Sequence, residues 1–115
     1  MSIEQRQFTR KDISLLVTYE AVEDFIDDYT ANVSVGGCFI RTQNKFVLGE
    51  TIGLSLSVPF VDNTNPDHPQ HTTEIIETKA VVRWVSDNGS FTGVGLQFVV
   101  LSASDRAKIE RLVST

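Results

Sequence analysis

Thr51-Ile52-Gly53-Leu54-Ser55-Leu56-Ser57-Val58-Pro59-Phe60 alternates apolar with small residues from end to end. Successive side chains of a strand point to opposite faces. Ile52, Leu54, Leu56, Val58 and Phe60 therefore share one face, and Gly53, Ser55, Ser57 and Pro59 share the other. This is the clearest strand signal in the chain, and it sets the reading of the rest. Pro59 has no N–H to give a ladder, which implies an edge or a strand end there.

The same period continues on both sides. Upstream, Ile13, Leu15, Val17 and Tyr19 fall on one face of a first strand, and residues 21–28 read as an acidic connection. In the next strand Ala31 and Val33 point one way while Thr30, Asn32 and Ser34 point the other. Gly36-Gly37 bends the chain, Cys38 to Thr42 resumes it, and Leu48-Gly49-Glu50 reads as a turn. Downstream, residues 62–72 are a loop by composition. A long strand follows with Thr78, Ala80, Val82 and Trp84 on one face, which assigns Trp84 to the core. Asp87-Asn88-Gly89 is a hairpin turn signal, and Val94, Leu96, Phe98 and Val100 form the last strand. Ser102 reads as a helix N-cap with Asp105 three residues on, and Ile109, Leu112 and Val113 fall on one helical face.

The expected fold is all-β: about six antiparallel strands closed into a barrel, which removes exposed edges, and a C-terminal helix. That helix plugs an end of the barrel, covers an open edge, or serves a dimer contact. The 115 residues make a single domain: an N-terminal arm over 1–12, the barrel over 13–100 and the helix over 102–114.

Composition narrows the function. The apolar fraction of 41% is that of a globular protein. A net charge of −5 argues against broad nucleic-acid binding, and no exposed aromatic platform for single strands is legible. Charge is uneven, with Arg6, Arg10 and Lys11 against Glu4 at the N-terminus. Glu20, Glu23, Asp24, Asp27 and Asp28 follow without a cation and read as a solvated hairpin loop. A cationic arm on an acidic body suits a small anion. The one cysteine, Cys38, cannot form an internal disulfide, and no run is apolar over a membrane-spanning length. The expected setting is cytoplasmic, without membrane insertion.

The residues with binding chemistry are few. Asn32 and Ser34 offer an amide and a hydroxyl on one strand face, running into Gly36 and Gly37, where φ > 0 is accessible and a ligand can approach the backbone. Arg6 and Arg10 stand four apart and supply guanidinium forks suited to phosphate and to the O6/N7 edge of guanine. Phe8, between them, is expected to anchor the arm on the barrel or to touch a base. His68 and His71 lie in the proline-rich loop without metal-ligand spacing, and Ser34 has no paired histidine. Neither catalysis nor a metal site is expected.

The order of these motifs resembles the PilZ domain. RxxxR is Arg6 and Arg10, and [D/N]xSxxG is Asn32, Ser34 and Gly37. Ala-Val-Val-Arg-Trp-Val (80–85) and Gly-Val-Gly-Leu-Gln-Phe (93–98) look like that family's later strands. The resemblance covers nearly the whole chain. It implies a six-stranded antiparallel barrel and a bacterial, non-catalytic receptor for the second messenger cyclic di-GMP, with no other cofactor. It also implies that Arg6 and Arg10 fold over the ligand on the N-terminal segment. Asn32, Ser34, Gly36 and Gly37 then form the strand-and-turn side of the site. Position 32 departs from the commoner Asp; an amide oxygen still accepts a guanine N–H without the charge-assisted contribution. The implied partner is a protein effector contacted by a monomer or homodimer. The alternative is a PilZ-like interaction module that does not bind the nucleotide.

Overall fold

Alternation becomes strands, with a slip of register in two of them. The computed structural model describes residues 10–20, 25–62, 64–87 and 89–114. Its strands are β1 (Leu16–Glu20), β2 (Phe25–Ser34), β3 (Gly37–Thr42), β4 (Thr51–Asp62), β5 (Gln70–Asp87) and β6 (Thr92–Phe98), followed by α1 (Ala103–Val113). All pairings are antiparallel and close in the order β1-β2-β3-β6-β5-β4, with β1 returning to β4 through Val17↔Leu56, Thr18↔Ser55 and Tyr19↔Leu54. Closure leaves the barrel itself no free edge. Ile52, Leu54, Leu56 and Val58 of β4 join Val17, Ile40, Ile76, Ala80, Val82, Val94 and Leu96 in a continuous core. Past Leu56, β4 has lost its β1 neighbour, and Pro59 lies in that stretch, as its missing N–H requires.

α1 begins where expected. Ser102 Oγ accepts the Asp105 N–H at 3.0 Å, and Asp105 is an acid in the first turn. Ile109 and Leu112 enter the core. The helix packs on β2 and β4, which are not neighbours in the barrel, so it spans an end of the barrel and does not extend the sheet. Arg111 fastens it by pairing with Glu74 and lying 4.3 Å over the Phe60 ring.

Several sequence readings are corrected. β2 starts at Phe25, so Asp27 and Asp28 belong to a strand and not to a solvated loop. Asp28 Oδ2 accepts from Tyr19 Oη at 2.6 Å and Thr42 Oγ1 at 2.7 Å, a satisfied polar cluster that Asn44 completes. The loop expected over 62–72 is shorter, because β4 and β5 continue as a ribbon to Asp62↔Gln70. Val100 lies beyond β6 and is exposed.

The faces of Thr30 and Trp84 are also corrected, by one mechanism. Thr30↔Ile40 is followed by Asn32↔Phe39, and Val82↔Leu96 by Trp84↔Gly95. Ala31 and Arg83 are therefore extra residues, each a β-bulge that reverses the in-out alternation. Thr30 turns into the core, where its hydroxyl donates to Ile13 O and accepts from Leu15 N, and Trp84 turns out of it.

Candidate functional site

The bulges face each other across β3 and β6 and aim side chains at the space between. Asn32 and Ser34 project outward on one side, while Val33 between them is fully buried. Trp84 projects outward on the other side, half exposed. The intervening surface is made low by glycine. A Cβ on Gly93 would stand 2.8 Å from Phe39 Cζ and 3.3 Å from Trp84 Cζ3, and one on Gly95 would stand 3.3 Å from Trp84 Cβ. The aromatic rings lie down on β6 because those positions carry no side chain.

Gly37 is required for a different reason from the one its sequence suggests. Among the described glycines positive φ occurs only at Gly49 and Gly89. A Cβ on Gly37 would instead lie 2.0 Å from Leu96 O, so glycine is demanded by the close approach of β3 to β6. The turn ahead of it is held twice. Ser34 Oγ accepts the Gly36 N–H at 3.2 Å, and Gly36 O accepts the Phe98 N–H at 3.0 Å. Ser34 thus shapes the turn with its own hydroxyl.

The arm meets this surface at a defined place. Lys11 exchanges two backbone hydrogen bonds of 2.9 Å with Val33, which sets Arg10 beside Asn32 and Ser34. Arg6 lies outside the described residues, as do Phe8 and most of the arm expected over 1–12. Arg10, Asn32, Ser34, Gly36 and Gly37 all line one open cleft of about 710 Å³, together with Phe39, Arg83, Trp84 and Gln97. Its volume is within the range of small-molecule sites.

Arg83, Gln97, Phe39 and Trp84 were not assigned to a site by sequence. Arg83 Nε donates to Gln97 Oε1 at 2.6 Å, which fixes its guanidinium on the cleft wall. The rings of Phe39 and Trp84 have centroids 5.3 Å apart at 42°. The available signal was the pair Gly93 and Gly95, alternating with core residues where a strand exterior ordinarily carries side chains. The cleft thus holds guanidinium groups for anions, amide and hydroxyl groups for a heterocycle edge, and an aromatic face for stacking.

The PilZ domain family model matches residues 4–115. The chain belongs to the PilZ domain family. Solved structures repeat its architecture. It superimposes on the Bacillus subtilis inhibitor of motility MotI/DgrA with a TM-score of 0.79 and 25% identity, covering 97% of this chain and 51% of that one. The PilZ domain of YcgR from Escherichia coli, solved with c-di-GMP, gives 0.66 and 12% over 96% of this chain and 89% of that one. The K. pneumonia MrkH–c-di-GMP complex gives 0.63 and 13% over 97% and 52%. The chain therefore spans about half the length of MotI/DgrA and of MrkH. No curated protein matches it by sequence.

Other chemistry is sparse. Burial pushes the Cys38 thiol up to about 12, which suits a packed strand residue and not a nucleophile. Among the described residues no His, Cys, Asp or Glu side chains gather in a group able to hold a metal, and no helix is long and apolar enough to cross a membrane.

Proposed function

We propose that this PilZ domain is a non-catalytic receptor for cyclic di-GMP, acting in the cytoplasm and passing the signal to a protein partner as a monomer or homodimer. The observation that carries the reading is the convergence of Arg10, Asn32, Ser34, Gly36 and Gly37 on one cleft with Trp84 and Arg83. Family membership and the c-di-GMP named with YcgR and MrkH support the ligand. The likeness to an inhibitor of motility supports an effector role.

The roles follow from the chemistry. Arg10 and Arg6 pair with phosphate oxygens and with guanine O6/N7. Asn32 accepts guanine N–H groups through its amide oxygen, and Trp84 offers a ring face to the base. Arg83, held by Gln97, supplies a further cation in a chain whose net charge is −5. Folding the arm over the ligand costs conformational entropy, which several charge-assisted contacts together offset. With its arginines on the ligand, the arm presents a surface to the protein partner.

A second reading is an interaction module that does not bind the nucleotide. It is favoured by Ser34, whose hydroxyl already serves the turn at Gly36, and by the amide at position 32. Calorimetric titration separates the two. The receptor takes up cyclic di-GMP in preference to cyclic di-AMP and GTP. Absence of heat at about 100 μM ligand excludes binding tighter than roughly −5 to −6 kcal/mol and leaves the module reading.

A further inference from the structure

We infer that the nucleotide site continues into a second cavity, where Asp12, Arg41 and Tyr29 read the other guanine of the ligand. This rests on the cyclic di-GMP reading above and deepens it. The second cavity, about 620 Å³, lies beside the cleft, and Asn32 and Phe39 line both. One step along the ladder from Thr30↔Ile40 sets Tyr29 beside Arg41 on the outer face. Tyr29 is 61% exposed, a large aromatic open to solvent within a concave surface. The Arg41 guanidinium is steadied 5.6 Å over the Phe91 ring. Asp12 joins the same cavity from the segment fixed at Lys11.

These side chains match guanine group for group. A guanidinium fork fits O6 and N7, a carboxylate accepts from N1–H and the 2-amino group, and a phenol ring stacks on the purine face. Adenine presents an amino donor where guanine has O6 and lacks the N1–H, so it opposes Arg41 and gives Asp12 no donor. A cyclic dinucleotide carries two bases on one diphosphate ring. The saddle at Asn32 and Phe39 divides the groove into two compartments, with Trp84 in one and Tyr29 in the other.

The test is calorimetric titration of the full chain with cyclic di-GMP and with the hybrid cyclic GMP–AMP, which has one base of each kind. The wild type is expected to prefer cyclic di-GMP by about tenfold, the scale of one lost charge-assisted hydrogen bond. Tyr29→Ala and Arg41→Ala should each weaken cyclic di-GMP by about tenfold with unchanged melting temperature, since both side chains are exposed. Arg41→Ala should also narrow the preference between the two ligands to the part that Asp12 supplies. Arg41→Lys, which keeps the charge and removes the fork, should do the same. If the wild type binds cyclic di-GMP while the variants retain both its affinity and its preference, the second cavity is unused and the receptor reading stands alone. If the wild type binds neither ligand, both readings fall.

Discussion

Phe39 and Trp84 meet at 5.3 Å over a strip of β6 that has no side chains, because Gly93 and Gly95 occupy its outward positions. β3, β5 and β6 thereby build an aromatic floor on the outside of the barrel, where the bulge at Arg83 has released Trp84 from the core. The chain's one tryptophan is thus a reporter seated in the proposed site.

Binding should therefore change its emission. Titrating cyclic di-GMP is expected to alter Trp84 fluorescence in a saturable manner, with the same midpoint as calorimetry. Trp84→Ala should cost about 1–3 kcal/mol of affinity, the scale of one base–aromatic stack. Full affinity in Trp84→Ala would remove the stacking role.

Most of the barrel was legible because its strands bury one face, and burial writes a period of two into the sequence. β4 and β6 show it directly at Ile52–Val58 and Val94–Phe98. What was not legible is where the period slips. A bulge adds one residue and leaves no compositional mark, so Thr30 read as outward and Trp84 as core, each opposite to its true face. Asn32, Ser34, Gly36 and Gly37, expected to share a surface, line one cleft. The floor they share was hidden, since it depends on glycines two strands away. Asp28 was misread for a related reason: its hydrogen-bonding partners Tyr19, Thr42 and Asn44 come together only when the barrel closes.

The arginines carry the next expectation. Arg10→Ala and Arg6→Ala should each weaken cyclic di-GMP by on the order of 2 kcal/mol, the scale of lost hydrogen bonds to charged groups. Arg10 is exposed, and the bridge of its neighbour Lys11 to Val33 is made of backbone hydrogen bonds, so the ligand-free melting temperature of Arg10→Ala should hold. Unchanged affinity in both variants would place the site elsewhere.

Asn32 and Ser34 should separate by kind of effect. Asn32→Asp should keep binding or strengthen it, because a carboxylate accepts guanine N–H bonds more strongly. Ser34→Ala removes the acceptor of the Gly36 N–H, so it should cost roughly 1 kcal/mol of stability as well as affinity. Urea denaturation beside calorimetry distinguishes them. A Ser34→Ala protein with reduced affinity and wild-type stability would show that its hydroxyl serves the ligand and not the turn.

The ribbon of β4 and β5 ends in a connection whose described residues, 64–69, do not line the cleft. Replacing it with a short turn should leave affinity unchanged and stability nearly so, because loop-closure entropy varies slowly with length. Glu74 and Phe60, which hold Arg111, must be kept in the shortened chain. If the connection serves a protein partner, a pull-down comparing the two chains will differ. A shortened protein that folds and no longer binds nucleotide would contradict this assignment.

The Tyr19 cluster gives an alkaline signature. Burial first, and then the hydrogen bond to Asp28, raise the Tyr19 hydroxyl from 10.0 to about 12. The folded chain therefore holds this proton more tightly than the unfolded chain. Its stabilisation is complete below pH 10.0 and is lost as pH rises towards about 12, where the folded hydroxyl also ionises. Cys38 is raised to about 12 from 9.0 and bends the curve in the same direction, so the measurement belongs in a Cys38→Ala background. There, urea midpoints should fall steeply from pH 10 upward. Tyr19→Phe should start less stable at pH 7, because Asp28 and Asn44 lose a partner, and should show a flatter alkaline slope. An alkaline slope equally steep in Tyr19→Phe would mean that another group carries the effect.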